Sequence, residues 1–175
     1  LIAISLVSFS QQKTVYTFDI LEEIDAPAWR KTKLSIEEAI SKKADYVLLH
    51  LDTYGGRVDF ADSIRSKLLT CPIPTLVFIE NNAASAGALI SIACDSIYMS
   101  PGSTIGAATV VDQNGNVAAE KYQSFFRGKM RATAIENNRN PNIAEGMVDP
   151  KIEIANVVNN ETLITFTVGE AIKHG

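Results

Sequence analysis

A chain of 175 residues, 46% hydrophobic and 21% charged, is sized and composed for one globular domain with a substantial core. Its net charge of −4 and pI near 5.2 leave no basic stripe, which argues against a nucleic-acid partner. Two isolated cysteines, Cys71 and Cys94, and two histidines give neither a metal-type cluster nor a Cys-x-x-Cys pair, and free buried thiols are expected.

The chain opens on Leu1-Ile2-Ala3-Ile4-Ser5-Leu6-Val7-Ser8-Phe9, apolar throughout, then turns polar at Ser10-Gln11-Gln12-Lys13. Residues 1–12 read as the remnant of a signal peptide or membrane-proximal segment, with Ser8-Phe9-Ser10 as a small-x-small cleavage site. A buried first strand is the alternative. The run is too short to span a bilayer, and an exported, membrane-associated protein is expected. The rest, 13–175, reads as one domain that stops short at its C-terminus, where Gly175 looks like a helix cap.

Thr14 to Ile20 alternates and is rich in β-formers, which predicts a strand. Asp25 to Lys33 reads as a loop, and Ser35-Ile36-Glu37-Glu38 as a capping box opening a helix to about Lys43. Tyr46 to Leu51 is nearly all apolar, as in a strand covered on both faces. Asp52-Thr53-Tyr54-Gly55-Gly56 breaks the pattern, and a helical period returns from Asp59 to Leu69. Thr75 to Ile79 predicts a strand, Ala88 to Ala93 a helix and Ser96 to Met99 a short strand. Asn114-Gly115 centres a hairpin between Val110 and Val117, and a long helix follows from about Lys121 to Asn138. This alternation predicts an α/β fold with a largely parallel sheet, βαβ units and helices on its faces.

In such sheets the loops after the strands form the working edge, where both Gly55-Gly56 and Ser85 fall. Ser85 sits between strand and helix in Asn81-Asn82-Ala83-Ala84-Ser85-Ala86-Gly87, with small neighbours that admit a substrate carbonyl. It is a candidate nucleophile, or else a helix N-cap. Gly55-Gly56 could present backbone N–H groups to an oxyanion, or form a tight turn only. A base is harder to find. His50 reads as a neutral core histidine within its strand, and His174 as a cation at a helix end. A lysine can replace histidine where burial lowers its pKa from about 10.4 towards neutrality. Lys121, opening the long helix after the hairpin, is the candidate, while Lys129 and Arg131 read as solvated.

Several segments resemble one family in order along the chain. Asp52-Thr53-Tyr54-Gly55-Gly56-Arg57-Val58-Asp59 is similar to the D-T-P-G-G-x-x-D segment of NfeD-type membrane-bound serine proteases, relatives of the Clp protease and signal peptide peptidase A. Ala83-Ala84-Ser85-Ala86-Gly87 resembles their A-A-S-A-G motif, and Ser100 to Ala107 their A-P-G-T-x-I-G-A stretch. Glu120-Lys121-Tyr122 through Asn138-Arg139-Asn140 resembles their lysine helix ending in G-R-N. Met147-Val148-Asp149 and Gly169 to Gly175 resemble later segments. Tyr54 stands where the family has proline, and Asn138 where it has glycine.

The resemblance implies a Clp/crotonase-like fold and a serine endopeptidase with a Ser-Lys dyad. It makes Ser85 the nucleophile, Lys121 the general base, and the N–H groups of Gly56 and Ala86 the oxyanion hole, with Gly55 and Gly87 as substrate-binding positions. No cofactor or metal is implied. The substrates would be peptides or hydrophobic segments of membrane proteins, with a stomatin-like protein as partner and a homodimer or higher oligomer as the assembly. The alternative is a non-catalytic binding or assembly module on the same fold. A crotonase-type acyl-CoA enzyme ranks last, because it leaves a seryl nucleophile unexplained.

Overall fold

The computed structural model describes residues 12–154, 157 and 162–175, so the expected leader at Leu1 to Phe9 lies outside the described residues. Strand β1 (Val15–Ile20) is followed by helix α1 (Ala26–Ser41), β2 (Tyr46–Thr53), α2 (Val58–Leu69), β3 (Thr75–Ala84) and α3 (Ala86–Ile92). Then come β4 (Ser96–Met99), β5 (Thr104–Gly106), α4 (Glu120–Glu136), α5 (Pro141–Gly146), β6 (Thr165–Thr167) and α6 (Val168–His174). The sheet order is β1-β2-β3-β5-β6, with β4 also on β3. All pairings are parallel except β5 with β6. Because β3 is ten residues long, β4 lies along its first half and β5 along its last three residues.

Alternation decides the core. Val47, Leu49, Leu51 and Thr53 of β2 are buried, while Tyr46, Leu48, His50 and Asp52 are only partly so. The expected strand covered on both faces is therefore a strand with one fully buried face. That face packs with Val77 and Ile79 of β3, Ile36 and Ala39 of α1, and Ile64 and Leu68 of α2 in one cluster.

His50 is corrected by the same periodicity. It lies on the partly exposed face, with Nδ1 3.3 Å from Asp19 and Nε2 3.0 Å from Glu80, and is no core histidine. The first helix is corrected too. It starts at Ala26, where the Asp25 carboxylate accepts from the N–H of Ala28, and Pro27 fits the first turn because that N–H has no helical partner. Ser35 is a buried mid-helix residue, not a cap. The Asn-Gly hairpin forms as expected through a Val111–Val117 bridge, its turn held by Asp112 accepting from the N–H groups of Asn114 and Asn116.

Candidate active site

Strand β3 ends at Ala84 and α3 begins at Ala86, so Ser85 alone makes the turn between them. It does so at φ 54° and ψ −116°, a conformation that costs a non-glycine residue about 1–3 kcal/mol. Its N–H donates to Gly106 (3.0 Å) and its carbonyl accepts from Ala88 (3.0 Å), which fixes the backbone at both sides. The side chain makes no capping hydrogen bond. The N-cap alternative is therefore not what Ser85 does, and its hydroxyl stays available in a half-buried position.

Gly55 and Gly56 meet this serine. A Cβ on Gly55 would lie 2.7 Å from the Ser85 Cβ and 3.1 Å from its Oγ, so only glycine permits the approach. Both glycines have positive φ, 118° and 153°. Behind them Ile24 donates to the Gly55 carbonyl and accepts from the Arg57 N–H, both at 2.8 Å, forming a parallel bridge centred on Gly56. In such a bridge the N–H of the central residue points away from its partner, so that of Gly56 is turned away from Ile24. Ala86 and Gly87 are buried at the start of α3, and a Cβ on Gly87 would lie 2.6 Å from the Thr53 methyl.

A bulge sharpens the same edge. Leu51 pairs with Ile79 but Thr53 with Ala83, so β3 carries two extra residues there. The Asp52 carboxylate spans the irregularity, accepting from the Asn81 side chain (2.8 Å) and the Asn82 N–H (2.9 Å). Burial alone would raise the Asp52 pKa, but these bonds outweigh it and hold the carboxyl below its usual value. Beside the glycines opens a cleft of about 810 Å³, lined by Leu21, Glu22, Asp52, Tyr54 and Asn81 among others.

Lys121 is the second residue of α4, exposed, with its ammonium 4.8 Å from the centre of the Tyr122 ring. Among the described residues it makes no hydrogen bond or ion pair, and none of these contacts joins it to Ser85. Lys129 pairs with Asp62 (2.8 Å) and Thr133 accepts from Arg65, which fastens the C-terminal half of α4 to α2.

Glu120 is turned to Arg127 (2.5 Å), which also holds Asp149 (3.1 Å). Lys129, expected in solvent, is half-buried and paired, while Arg131 is exposed and paired with Glu145. Two residues that the sequence did not single out shape the site. Buried Gln123 donates to the carbonyls of Val110 (2.6 Å) and Ala118 (3.3 Å) and accepts from the Val110 N–H, tying the hairpin to α4. Thr53 bonds to the Gly55 turn. A threonine ending a buried strand two residues before a glycine pair was the available signal for it.

The histidines lie elsewhere. His174 stacks on Phe166 at 5.3 Å, and His50 sits with Phe78 on the sheet face. Cys71 is half-exposed, contrary to expectation, and Cys94 is buried. Both are free.

Known proteins resemble this chain in sequence and in fold. The family model for the NfeD1b N-terminal domain matches residues 14–175. The membrane protein NfeD1b of Bacillus subtilis (strain 168) is 32% identical over all of this chain and 40% of its own length. The membrane-bound protease PH1510 of Pyrococcus horikoshii is 28% identical over 92% of this chain and 36% of its own. The chain thus spans about two-fifths of the curated relatives it matches. A lysine-to-alanine mutant of the 1510-N membrane-bound stomatin-specific protease, solved with a substrate peptide, superposes with a TM-score of 0.80 at 27% identity, covering 94% of this chain and 73% of that one. A serine-to-alanine mutant of the same protease superposes at 0.81, with 27% identity over 95% of this chain and 78% of that one. ClpP1 from Listeria monocytogenes, 17% identical with a TM-score of 0.67 over 91% of this chain and 87% of its own, shares the fold. A Clp-like fold with a mostly parallel sheet, matched from residue 14 to the last, places this chain in the NfeD1b N-terminal domain family.

Proposed function

We propose that this domain is a serine endopeptidase in which Ser85 attacks the scissile carbonyl and Lys121 is the general base. The observation that carries the reading is Ser85 itself, held in a strained turn with an uncapped hydroxyl against Gly55. Support also comes from the protease relatives, whose solved mutants remove a serine and a lysine.

In the acylation step neutral Lys121 takes the Ser85 proton as the Oγ–C bond forms. The N–H groups of Gly56 and Ala86 hold the oxyanion. Lys121 then gives its proton to the leaving amine as the C–N bond breaks, and water, deprotonated in turn by Lys121, releases the acyl group. No step calls for a metal or cofactor. Lys121 reaches Ser85 by closure of the first turn of α4, which has no side-chain cap, when substrate or a second subunit covers the edge. The substrates are hydrophobic segments of membrane-associated proteins, with a stomatin-like protein as the partner of the full-length protein. The domain is exported and works as a homodimer or a multiple of dimers.

A serine-directed fluorophosphonate tests the reading. Intact-mass and peptide analysis should place one adduct on Ser85, absent in Ser85→Ala, which should keep the wild-type melting temperature within a few degrees. Cleavage of an apolar peptide should fall by several orders of magnitude in the same variant. An unlabelled, inactive wild-type assembly would favour a binding module on this fold.

A further inference from the structure

We infer that Thr53 is a positioning residue for the oxyanion loop, an inference that rests on Ser85 being the nucleophile. Thr53 ends β2 and is 3% exposed, yet it carries a hydroxyl. Its Oγ1 lies 2.6 Å from the carbonyl of Glu22 and accepts from the N–H of Gly55 at 3.1 Å. The hydroxyl has one proton, and the short contact assigns it to Glu22. The Gly55 carbonyl, 3.2 Å away, is already served by the N–H of Ile24. Oγ1 therefore meets Gly55 N–H as an acceptor.

The methyl of the same side chain faces the other way, filling the space where Gly87 has no Cβ. One residue thus touches three segments: the chain leading into Ile24, the Gly55-Gly56 turn, and the first turn of α3. Orienting the Gly55 peptide orients the next N–H along the chain, that of Gly56. Threonine alone supplies both contacts. Valine keeps the methyl and loses the bonds, leaving the N–H of buried Gly55 without its partner, while the carbonyl of exposed Glu22 can turn to water. Serine keeps the bonds and loses only the methyl.

Thr53 touches no reacting atom, so its effect passes through the loop. Removing an oxyanion donor outright costs about 10²–10³ in kcat, and a misaimed donor costs less. Thr53→Val should lower kcat and the rate of phosphonate labelling at Ser85 by about tenfold to a hundredfold, with KM within about threefold of wild type. Thr53→Ser should stay within about fivefold of wild type. Amide hydrogen exchange at Gly55, whose N–H donates to Thr53, should accelerate in the valine variant and not in the serine variant.

A labelled wild type with Thr53→Val labelled at the same rate overturns the inference and leaves the peptidase reading standing. An unlabelled wild type overturns that reading and the catalytic effect of Thr53 together, and the exchange data then decide whether Thr53 holds the loop. If the valine variant melts too low for assay, Thr53→Ala replaces it: alanine must lose the rate that serine retains, and equal rates in the two refute the role.

Discussion

Replacing Gly56 by alanine tests whether the loop beside Ser85 is built on backbone contact. A Cβ there would lie 2.4 Å from the Ile24 oxygen, 2.5 Å from its nitrogen and 2.8 Å from its Cα. Ordinary contact begins near 3.4 Å, so the two backbones must part by about 1 Å. The two bonds between them, 2.8 Å each, would then stretch to about 3.8 Å and cease to be hydrogen bonds. Their loss costs about 2 kcal/mol, and the φ of +153° adds about 1–3 kcal/mol of strain for any side chain. The total of about 3–5 kcal/mol lowers the melting temperature by about 6–20 °C in a chain of this size. Gly102→Ala supplies the control, since Gly102 also has positive φ but nothing within 4 Å of its would-be Cβ. Differential scanning calorimetry should find Gly56→Ala lower than Gly102→Ala by about 4–8 °C, the share due to Ile24. Phosphonate labelling of Ser85 should drop at least about a hundredfold in Gly56→Ala alone, as for a lost oxyanion donor. Equal melting temperatures in the two variants would refute the packing argument, and wild-type labelling in Gly56→Ala would refute the placement of Gly56 at the site.

Lys121→Arg should be nearly as inactive as Lys121→Ala on an apolar peptide, because arginine does not give up its proton; an active arginine variant would remove Lys121 from the base role. The Asp112 carboxyl is held below its usual value by the N–H groups of Asn116 and Asn114. The hairpin should therefore be fully supported above the unfolded value near 3.8 and should loosen as pH falls through the lower folded one. Amide exchange at Asn114 and Asn116, corrected for intrinsic rates, should show protection that holds above about pH 3.8 and falls at lower pH, with no such fall in Asp112→Asn. Burial pushes the Cys94 thiol up to about 12, while Cys71 is half-exposed, so Ellman's reagent should titrate one thiol in native protein and two after unfolding. No free thiol in either state would mean a bridge that the structure lacks.

What could be read in the sequence was local. Ser85, its small neighbours and Gly55-Gly56 are fixed by backbone chemistry within a few residues, so strand-turn-helix patterning located both on one edge. The start of α1 misled because Ser35-Ile36-Glu37-Glu38 has the form of a capping box, whereas the helix is capped ten residues earlier by Asp25. The end of β3 could not be read from Asn81-Asn82, poor strand formers that continue the strand because Asp52 binds both and β5 pairs with Asn82. Strands β5 and β6, three residues each, are too short to show a period. Thr53 and Gln123 act through partners 31 and 13 residues away, which no spacing announces.

The placement of α4 joins these observations. Its C-terminal half is fastened to both helices that start at the working edge. Lys129 and Thr133 bind α2, and beyond the helix end Asn137 and Arg139 donate to the carbonyls of Ile92, Cys94 and Asp95 at the end of α3. These bonds fix the axis of α4 relative to the turns that carry Gly56 and Ser85. The N-terminal half is held by buried Phe126, by Arg127 on Asp149 and by Gln123 on the hairpin, but its first turn, with Glu120 and Lys121 exposed, reaches back only to Arg127 of its own helix. Helices fray where the first N–H groups lack a cap, and Lys121 sits in that turn. In the proposed mechanism, movement of this first turn alone brings Lys121 to Ser85 while the rest of α4 stays fastened. Ser85 and the Gly55-Gly56 loop are set by the sheet and its turns, whereas Lys121 stays exposed in the first turn of α4, which is why the proposed mechanism requires that turn to close over the edge.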